Sequence, residues 1–332
     1  MSASADQRFE PGEPGEPGVD HDAFHPPTSD DPWWQETSWF TFMVPERNLY
    51  CYVYPWVRMN QGILGGGVMA WDDRGRTPFD ALHWDYQWAY PYPEPGDLHD
   101  ITFPTGVSIQ CLEPLTRYRV AYDHPDFSFE IEFTAILPAH LLEDNGTGTF
   151  AGHLDQQGRV EGSVTVAGET FVVDCHAHRD RSWGPRVPAP GLHIGYDLCT
   201  AAEHAFMAYS SPDDDAPDQA GCLLGGTLWT GHQLANLTEG TRRIERDDTG
   251  VWPARVVVDG IDDRGRTLAA VGTPVNWMCF QNLPSMTNLV SLVRWEGTAD
   301  GTAFTAYGEL EDVWDANRYR RFARAATTPD RD

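Results

Sequence analysis

The stretch DCHAHRDRSWGPR, residues 174–186, contains seven aspartate, histidine and arginine side chains and one tryptophan. It follows a β-branched run at 162–173, which predicts two strands joined at Ala167 and Gly168, the second continuing into the charged stretch. Because side chains alternate along a strand, the two carboxylates and two imidazoles are predicted to share one face. That face comprises Asp174, His176, His178 and Asp180, and the other comprises Cys175, Ala177, Arg179 and Arg181. The first face is therefore predicted to donate and accept protons.

The same region resembles a known family. Residues 153–186 contain a glycine-rich hairpin that ends in HRDRSWGPR at 178–186. This is similar to the arginine-aspartate-histidine-serine-tryptophan-glycine signature of the hydroxyneurosporene synthase superfamily (carotenoid 1,2-hydratase, CrtC-like or AttH-like), with Arg181 where the signature has histidine. The resemblance extends loosely from Trp33 to Phe322 and implies two tandem lipocalin-like antiparallel barrels.

Length and composition agree with this architecture. A chain of 332 residues predicts about two domains, and its 31 glycines and 25 prolines interrupt any long helical pattern. Short strand-like runs between turn residues predict an all-β protein of antiparallel barrels or sandwiches, which the resemblance specifies as tandem and lipocalin-like. The predicted parts are a disordered acidic Pro/Gly tail at 1–30, an N-terminal domain at 31–186 and a C-terminal domain at 187–326, with the crossing at 184–190.

The charged residues exclude several classes of function. A net charge of −27 disfavours nucleic acids and anionic membranes as partners, since both bind basic surfaces. All 23 basic residues are arginine, so the chain lacks the lysine that a Schiff base or a phosphate-binding loop requires. The GxSxG, HExxH and GxGxxG motifs are absent as well. We therefore predict an enzyme or binding protein that uses no cofactor and binds no nucleic acid.

The N-terminal residues lack the apolar core of a signal peptide, and no run approaches the ~18 apolar residues of a membrane span. The sequence therefore predicts a cytoplasmic protein without a membrane span. Its six cysteines fit a reducing compartment as small buried side chains. The oligomeric state stays open, with a homodimer among the alternatives.

Cys175, His176 and His178 lie close together in the sequence, which raises the question of a metal site. A zinc site needs three or four converging ligands. A regular strand directs the thiol away from the two imidazoles, so the sequence predicts that no metal is bound.

Asp180 has two interpretations. In the first, it forms a buried ion pair with a nearby arginine: Arg179, Arg181 or Arg186. In the second, it is a general acid that protonates an alkene, with its pKa raised by an apolar pocket and with Trp183 stabilising the carbocation.

A second stretch, HWDYQWAYPY at residues 83–92, sets five aromatic side chains around one carboxylate. It predicts a loop that covers a barrel mouth and stacks on a flat apolar ligand, the alternative being a β-edge packed on the core. The predicted substrate contacts from the two stretches are Trp84, Asp85, Tyr86, Trp88, Trp183 and Arg186.

These observations predict a cofactor-independent acid–base enzyme of the hydratase, isomerase or cyclase type. Its substrate would be an apolar terpenoid, steroid or aromatic molecule in a pocket at the domain junction. The predicted catalytic residues are Asp180, assisted by His178 and His176. The alternative is a non-catalytic intracellular carrier of a hydrophobic small molecule, which would use the same pocket.

Overall fold

The computed structural model of this chain describes residues 13–92, 98–143, 150–186, 190–214, 219–231 and 233–327. It is nearly all β, with 65% strand and 7% helix, which confirms the predicted fold class. The described chain divides into two compact units. We call residues 12–74 and 79–187 the sheet unit, and residues 75–78 and 188–332 the barrel unit.

The sheet unit is one twelve-stranded antiparallel sheet. Its strands are β1 (Glu13–Gly15), β2 (Trp34–Val44), β3 (Leu49–Arg58), β4 (Ile63–Trp71), β5 (His83–Pro91), β6 (Asp100–Thr102), β7 (Val107–Glu113), β8 (Arg117–His124), β9 (Phe127–Ala135), β10 (His140–Glu143), β11 (Gly152–Val166) and β12 (Glu169–Pro185). The order across the sheet is β5-β4-β3-β2-β12-β11-β9-β8-β7-β6, and β10 pairs with both β1 and β11. The long hairpin of β11 and β12 therefore lies in the middle.

The sheet curls toward one face, as ring contacts between non-adjacent strands show. Phe40 in β2 lies 6.0 Å from Phe133 in β9 and 5.7 Å from Tyr118 in β8, although β11 and β12 separate these strands. We call this the inner face and the opposite one the outer face. Strand β12 is buried on both faces from residue 177 to 184, apart from the half-buried Asp180. Every charged group there needs a partner on its own face.

The barrel unit contains a closed eight-stranded antiparallel barrel with one added strand and a C-terminal helix. Its elements are β13 (His193–Thr200), β14 (His204–Ser211), β15 (Gly221–Thr230), β16 (Gln233–Arg246), β17 (Pro253–Asp262), β18 (Thr267–Pro274), β19 (Met278–Phe280), β20 (Met286–Ala299), β21 (Thr302–Asp315) and α1 (Ala316–Thr327). The barrel closes because β18 pairs with β20 and β21 pairs with β13. Phe206 and Trp295 meet edge to face in its apolar core.

A buried ionic network also belongs to the barrel unit. Asp312 accepts hydrogen bonds from His193 at 2.9 Å, from Arg246 at 2.7 Å and from the Trp314 indole at 2.9 Å. Arg242 pairs with Asp197 at 2.6 Å beside it. Each buried arginine in this network thus has a carboxylate partner, as charge burial requires.

Residues 13–30 differ from the predicted disordered tail, while residues 1–12 of that tail lie outside the described residues. Asp22, at the end of a 3-10 turn, is buried and accepts a hydrogen bond from Arg179 at 2.9 Å. Burial alone would raise the pKa of Asp22, but Arg179 and the Tyr118 hydroxyl outweigh it and hold the pKa below its usual value. The tail buries little apolar surface of its own, so its order comes from the charges of the sheet that it neutralises.

A second contact orders the same segment. Arg181 donates to the carbonyls of His21 and Ala23, at 2.6 and 2.9 Å. The Trp183 ring stacks on His25 with their centroids 3.9 Å apart. The inner-face side chains of β12 thus hold residues 21–25 in place.

The predicted crossing at 184–190 is only partly described, because residues 187–189 fall outside the described ranges. In the part of the chain that the structure describes, no helix has the length and apolar character needed to cross a membrane.

Replacing Asp22 by asparagine tests whether the tail is part of the fold. Asp22→Asn leaves the Arg179 guanidinium buried without its counter-charge, so we expect the free energy of unfolding to fall by about 3 to 5 kcal/mol. Asp20→Asn is the matched control, because Asp20 lies in the same turn but is exposed, and it should change stability by less than about 0.5 kcal/mol. Urea unfolding of both variants measures this, and equal stabilities would contradict the assignment.

Candidate active site

The outer face of β11 and β12 carries four side chains that we call the histidine–aspartate cluster: His153, Asp155, His178 and Asp180. At its centre, Asp155 Oδ1 lies 3.0 Å from His178 Nε2, and Asp155 Oδ2 lies 3.0 Å from His153 Nε2. The Asp180 carboxylate completes the group, with its oxygen, the His153 nitrogen and the Asp155 oxygen all within 4.8 Å of one another. Asp155 is 1% exposed and His178 is fully buried, so these groups interact in a medium of low polarity.

The hairpin register places these residues together. Ala167 and Gly168 form a two-residue turn in which both φ angles are positive, 50° and 84°, as tight hairpins require. With this turn, Asp155 pairs directly with Asp180, and His153 pairs with Ser182. Directly paired residues share a face, so the predicted alternation along β12 is confirmed. A slip of one residue would move the cluster to the inner face.

The arginines next to Asp180 in the sequence point to the other face. Arg179 pairs with Asp22 at 2.9 Å, and Arg181 pairs with Glu36 at 2.7 Å. Neither is therefore the partner that the ion-pair interpretation of Asp180 proposed. The third arginine that this interpretation named as a partner of Asp180 is Arg186. Its Nη1 donates to Ser182 Oγ at 2.6 Å.

The cluster has a defined order of charges. Burial alone would raise the pKa of Asp155, but the two histidines outweigh it and hold the pKa well below its usual value. Burial alone would lower the pKa of His153, but the Asp155 carboxylate outweighs it and raises the pKa. Burial dominates at His178 and lowers its pKa. The cluster therefore combines an ionised carboxylate with one imidazole that favours the protonated form and one that favours the neutral form.

Two predicted site residues of β12 lie away from the cluster. His176 shares the outer face but pairs with Arg159, and burial together with that arginine lowers its pKa. Trp183 lies on the inner face, where it packs against Leu154 and stacks on His25. This placement corrects the prediction that Trp183 stabilises a carbocation at Asp180. The two side chains point to opposite faces of β12.

The structure also divides the stretch at 83–92. It forms strand β5, and Asp85 faces inward, where the Tyr122 hydroxyl donates to it at 2.6 Å. By the β4–β5 register, Trp84 and Tyr86 face outward. Trp88 joins Tyr86 there, with ring centroids 5.6 Å apart. The predicted grouping of these aromatics around Asp85 is therefore corrected: the carboxylate and the rings occupy opposite faces.

The cluster also has the donor types of a metal site. His153, Asp155 and Asp180 offer one nitrogen and two carboxylate oxygens within 4.8 Å of one another. These are ligands that zinc accepts. Cys175 is buried on the inner face and donates no ligand to this group. The expectation that the protein functions without a metal stays a prediction.

Sequence reasoning assigned no role to His153 or Asp155, although both lie in the segment of the family resemblance. A signal was present, because His153 and Asp155 repeat the spacing of His178 and Asp180 on the other strand of one hairpin. Whether the two pairs lie opposite each other depends on the register of β11 with β12, which the spacing alone does not determine.

Comparison with known proteins identifies the family of this chain and solved structures with a similar fold. The chain belongs to a family described as a domain of unknown function, DUF7064, which matches residues 18–311. No curated protein matches the sequence.

Three solved structures share the fold. Kievitone hydratase from Nectria haematococca is 15% identical, with 92% of this chain and 98% of that chain covered and a TM-score of 0.54. CghA is 12% identical, with 93% and 97% covered and a TM-score of 0.58. A putative AttH protein from Nitrosomonas europaea is 15% identical, with 84% and 91% covered and a TM-score of 0.52. These neighbours belong to the tandem lipocalin-like superfamily, and at this identity they show the fold.

The charge order of the cluster predicts a pH dependence of stability. The pKa of His153 is raised in the folded chain, so its contribution is complete below the unfolded value of about 6.5 and is lost as pH rises through the folded value. The stability difference between wild type and His153→Gln should therefore shrink from about pH 6 toward alkaline pH. Urea unfolding of both proteins over this range measures it.

His176→Gln is the control with the opposite sign. The pKa of His176 is lowered on folding, so its contribution is present above about pH 6.5 and is lost as pH falls. Parallel pH profiles for the two variants would show that the ion pair of His153 with Asp155 is wrong.

Proposed function

We propose that this chain is an acid–base enzyme of the hydratase, isomerase or cyclase type that acts on a small, mostly apolar organic molecule without a cofactor. The observation that carries the proposal is the Asp155 carboxylate held between His153 and His178, next to Asp180. Such a group can hold and exchange protons. The name of one structural neighbour, kievitone hydratase, agrees with this class of reaction.

The cluster assigns a separate task to each residue. His178 binds one oxygen of Asp155 and fixes its orientation, while the other oxygen keeps His153 protonated. His153 is then the proton donor, and the nearby Asp180 carboxylate is the acceptor. The sequence had given the donor role to Asp180, and the raised pKa of His153 favours exchanging the two roles.

Hydration of an alkene shows how the protons balance. His153 donates its proton to one alkene carbon, and the oxygen of a water molecule bonds to the neighbouring carbon. Asp180 takes the proton that the water loses, and exchange between Asp180 and His153 restores the starting state. Isomerisation or cyclisation uses the same donor and acceptor without the water.

Aromatic side chains beside the cluster support an apolar substrate. Trp39 is paired directly with Asp180, and its ring lies 5.4 Å from His178 and 5.1 Å from Tyr52. Trp39 and Tyr52 are each only 3% exposed, so the cluster lies among buried aromatic rings, and such apolar surroundings suit a terpenoid, steroid or aromatic substrate. Among these classes, the carotenoid hydratases are indicated by the resemblance of residues 178–186 alone.

A ligand screen followed by product analysis tests the proposal. Terpenoids, steroids and aromatic alkenes are screened by thermal shift, and each hit is incubated with the protein in water enriched in ¹⁸O. A hydratase incorporates the label into a product of higher mass, whereas an isomerase or cyclase yields an unlabelled product with a new retention time. Ligands that bind without any conversion would instead support the carrier function.

Asp180→Asn tests the role of the proton acceptor. We expect turnover of a screened substrate to fall by about 10² to 10⁴-fold, because the amide keeps the shape but cannot accept the proton. Ligand affinity should stay within about tenfold. Arg179 and Arg181 keep their partners Asp22 and Glu36, and Arg186 keeps its hydrogen bond to Ser182, so the melting temperature should change little.

The control is Asp174→Asn on the same face of the same strand. Asp174 is exposed and pairs with Arg159 outside the cluster, so its loss should leave turnover within about twofold. Full activity of Asp180→Asn would eliminate Asp180 from the reaction.

A further inference from the structure

A buried arginine at the end of β3 has no counter-charge within the described part of the chain. Arg58 is only 9% exposed, and its Nε donates to the neutral Gln35 side chain at 2.9 Å. Its guanidinium lies over two aromatic rings, 5.3 Å from the centre of Trp33 and 5.6 Å from that of Trp56. Burial lowers the pKa of Arg58, with neighbouring tyrosines opposing the shift.

Arg58 differs in this respect from the other deeply buried arginines. Four of those pair with carboxylates: Arg179 with Asp22, Arg181 with Glu36, Arg242 with Asp197 and Arg246 with Asp312. A buried cation without such a partner is costly to the fold. In a chain with net charge −27, a carboxylate partner would be easy to supply. A ligand that brings the negative charge explains the arrangement.

The surroundings of Arg58 are aromatic and partly exposed. Trp56 donates to the Tyr86 hydroxyl at 3.2 Å, and Trp88 lies 5.3 Å from Trp56. Trp33 and Trp88 are 37% and 44% exposed, and they are two of six large exposed hydrophobic residues in the described ranges. Exposed rings beside a buried cation form a surface that a flat anionic molecule fits.

We propose that Arg58, Trp33, Trp56, Tyr86 and Trp88 form a binding site for the carboxylate of an aromatic acid. The guanidinium would bind the carboxylate through two parallel hydrogen bonds, and the indole rings would stack on the aromatic part of the ligand. The negative charge of the rest of the chain repels anions, so this buried cation also provides selectivity.

The site also bears on the substrate class, and this part rests on the proposed function. Trp56 pairs with Thr37, and Thr37 pairs with Ser182, so Arg58's neighbours share the outer face with the histidine–aspartate cluster. Strands β3 and β12 flank β2 and lie about 10 Å apart across the sheet. Arg58 lies two residues beyond the level of Ser182, so it is also about 13 Å along the strands from Asp180. The substrate would then be an acid whose carboxylate lies at Arg58 while its reacting carbons lie at Asp180.

Binding of 2-naphthoate and 2-naphthamide to the wild-type protein tests the site directly. The two probes share one ring system and differ in charge. Isothermal titration calorimetry should show naphthoate bound at least about tenfold more tightly than naphthamide, because only the carboxylate pairs with the guanidinium. Equal affinities, or no naphthoate binding, would overturn the proposal without requiring any variant to fold.

Arg58→Met then assigns the preference to this residue. Naphthoate affinity should fall at least about tenfold while naphthamide affinity stays within about threefold. The stability of the variant should stay close to that of wild type, because removal of a buried charge offsets the lost hydrogen bond to the buried Gln35 side chain. Arg47→Met is the matched control, since Arg47 is an exposed arginine of the same unit paired with Glu169. It changes the net charge equally and should leave naphthoate binding intact.

The binding assay also separates this site from the proposed function. Asp180→Asn removes a cluster residue and leaves Arg58 in place, so its naphthoate affinity should remain within about threefold of wild type. A loss in Asp180→Asn, a loss in Arg47→Met, unchanged binding in Arg58→Met or marked destabilisation of Arg58→Met would each overturn the assignment to Arg58. Absence of turnover on every screened substrate would leave the binding result standing.

Discussion

The whole sheet unit depends on the burial of both faces of β12 between Ala177 and Gly184. Apart from the half-buried Asp180, the charged side chains there are shielded from water, so each must meet a partner on its own face. On the inner face, Arg179 recruits Asp22 from the N-terminal segment, which becomes ordered as a result. On the outer face, His178 recruits Asp155 from the neighbouring strand. The alternation of side chains along β12 therefore places the Arg179–Asp22 ion pair on the inner face and the histidine–aspartate cluster on the outer face.

The features that the sequence predicted are local ones. The alternation along β12, the turn at Ala167 and Gly168, and the all-β class follow from neighbouring residues and were confirmed. The partners of the charged groups were not predictable in the same way. Asp22 meets Arg179 across 157 positions of the chain, and no periodicity encodes such a contact. Low apolar content predicted disorder for this segment, because that argument counts only the surface that a segment buries by itself.

The site shows the same division. The sequence predicted Asp180 and His178 as site residues from a pattern within one strand. It did not group them with His153 and Asp155, which lie beside them only through the register of β11 with β12. It also grouped Asp85 with the aromatics beside it, although adjacent residues of a strand point to opposite faces. The alternation that was applied to residues 174–181 would have separated Asp85 from Trp84 and Tyr86 as well. Spacing thus predicts which residues share a strand face, and the register decides which faces meet.

The closure of the barrel unit has a consequence for its synthesis. Strands β13 and β21, the first and last described strands of the unit, pair with each other. His193 in β13 thus meets Asp312 in β21 across 119 positions of the chain. The hairpin of β11 and β12, in contrast, joins strands separated by a two-residue turn. Because closing a long loop costs more entropy than closing a short one, the hairpin can form as soon as it leaves the ribosome. The barrel must wait for its final strand, so until then β13 keeps an unpaired edge that a chaperone would have reason to cover.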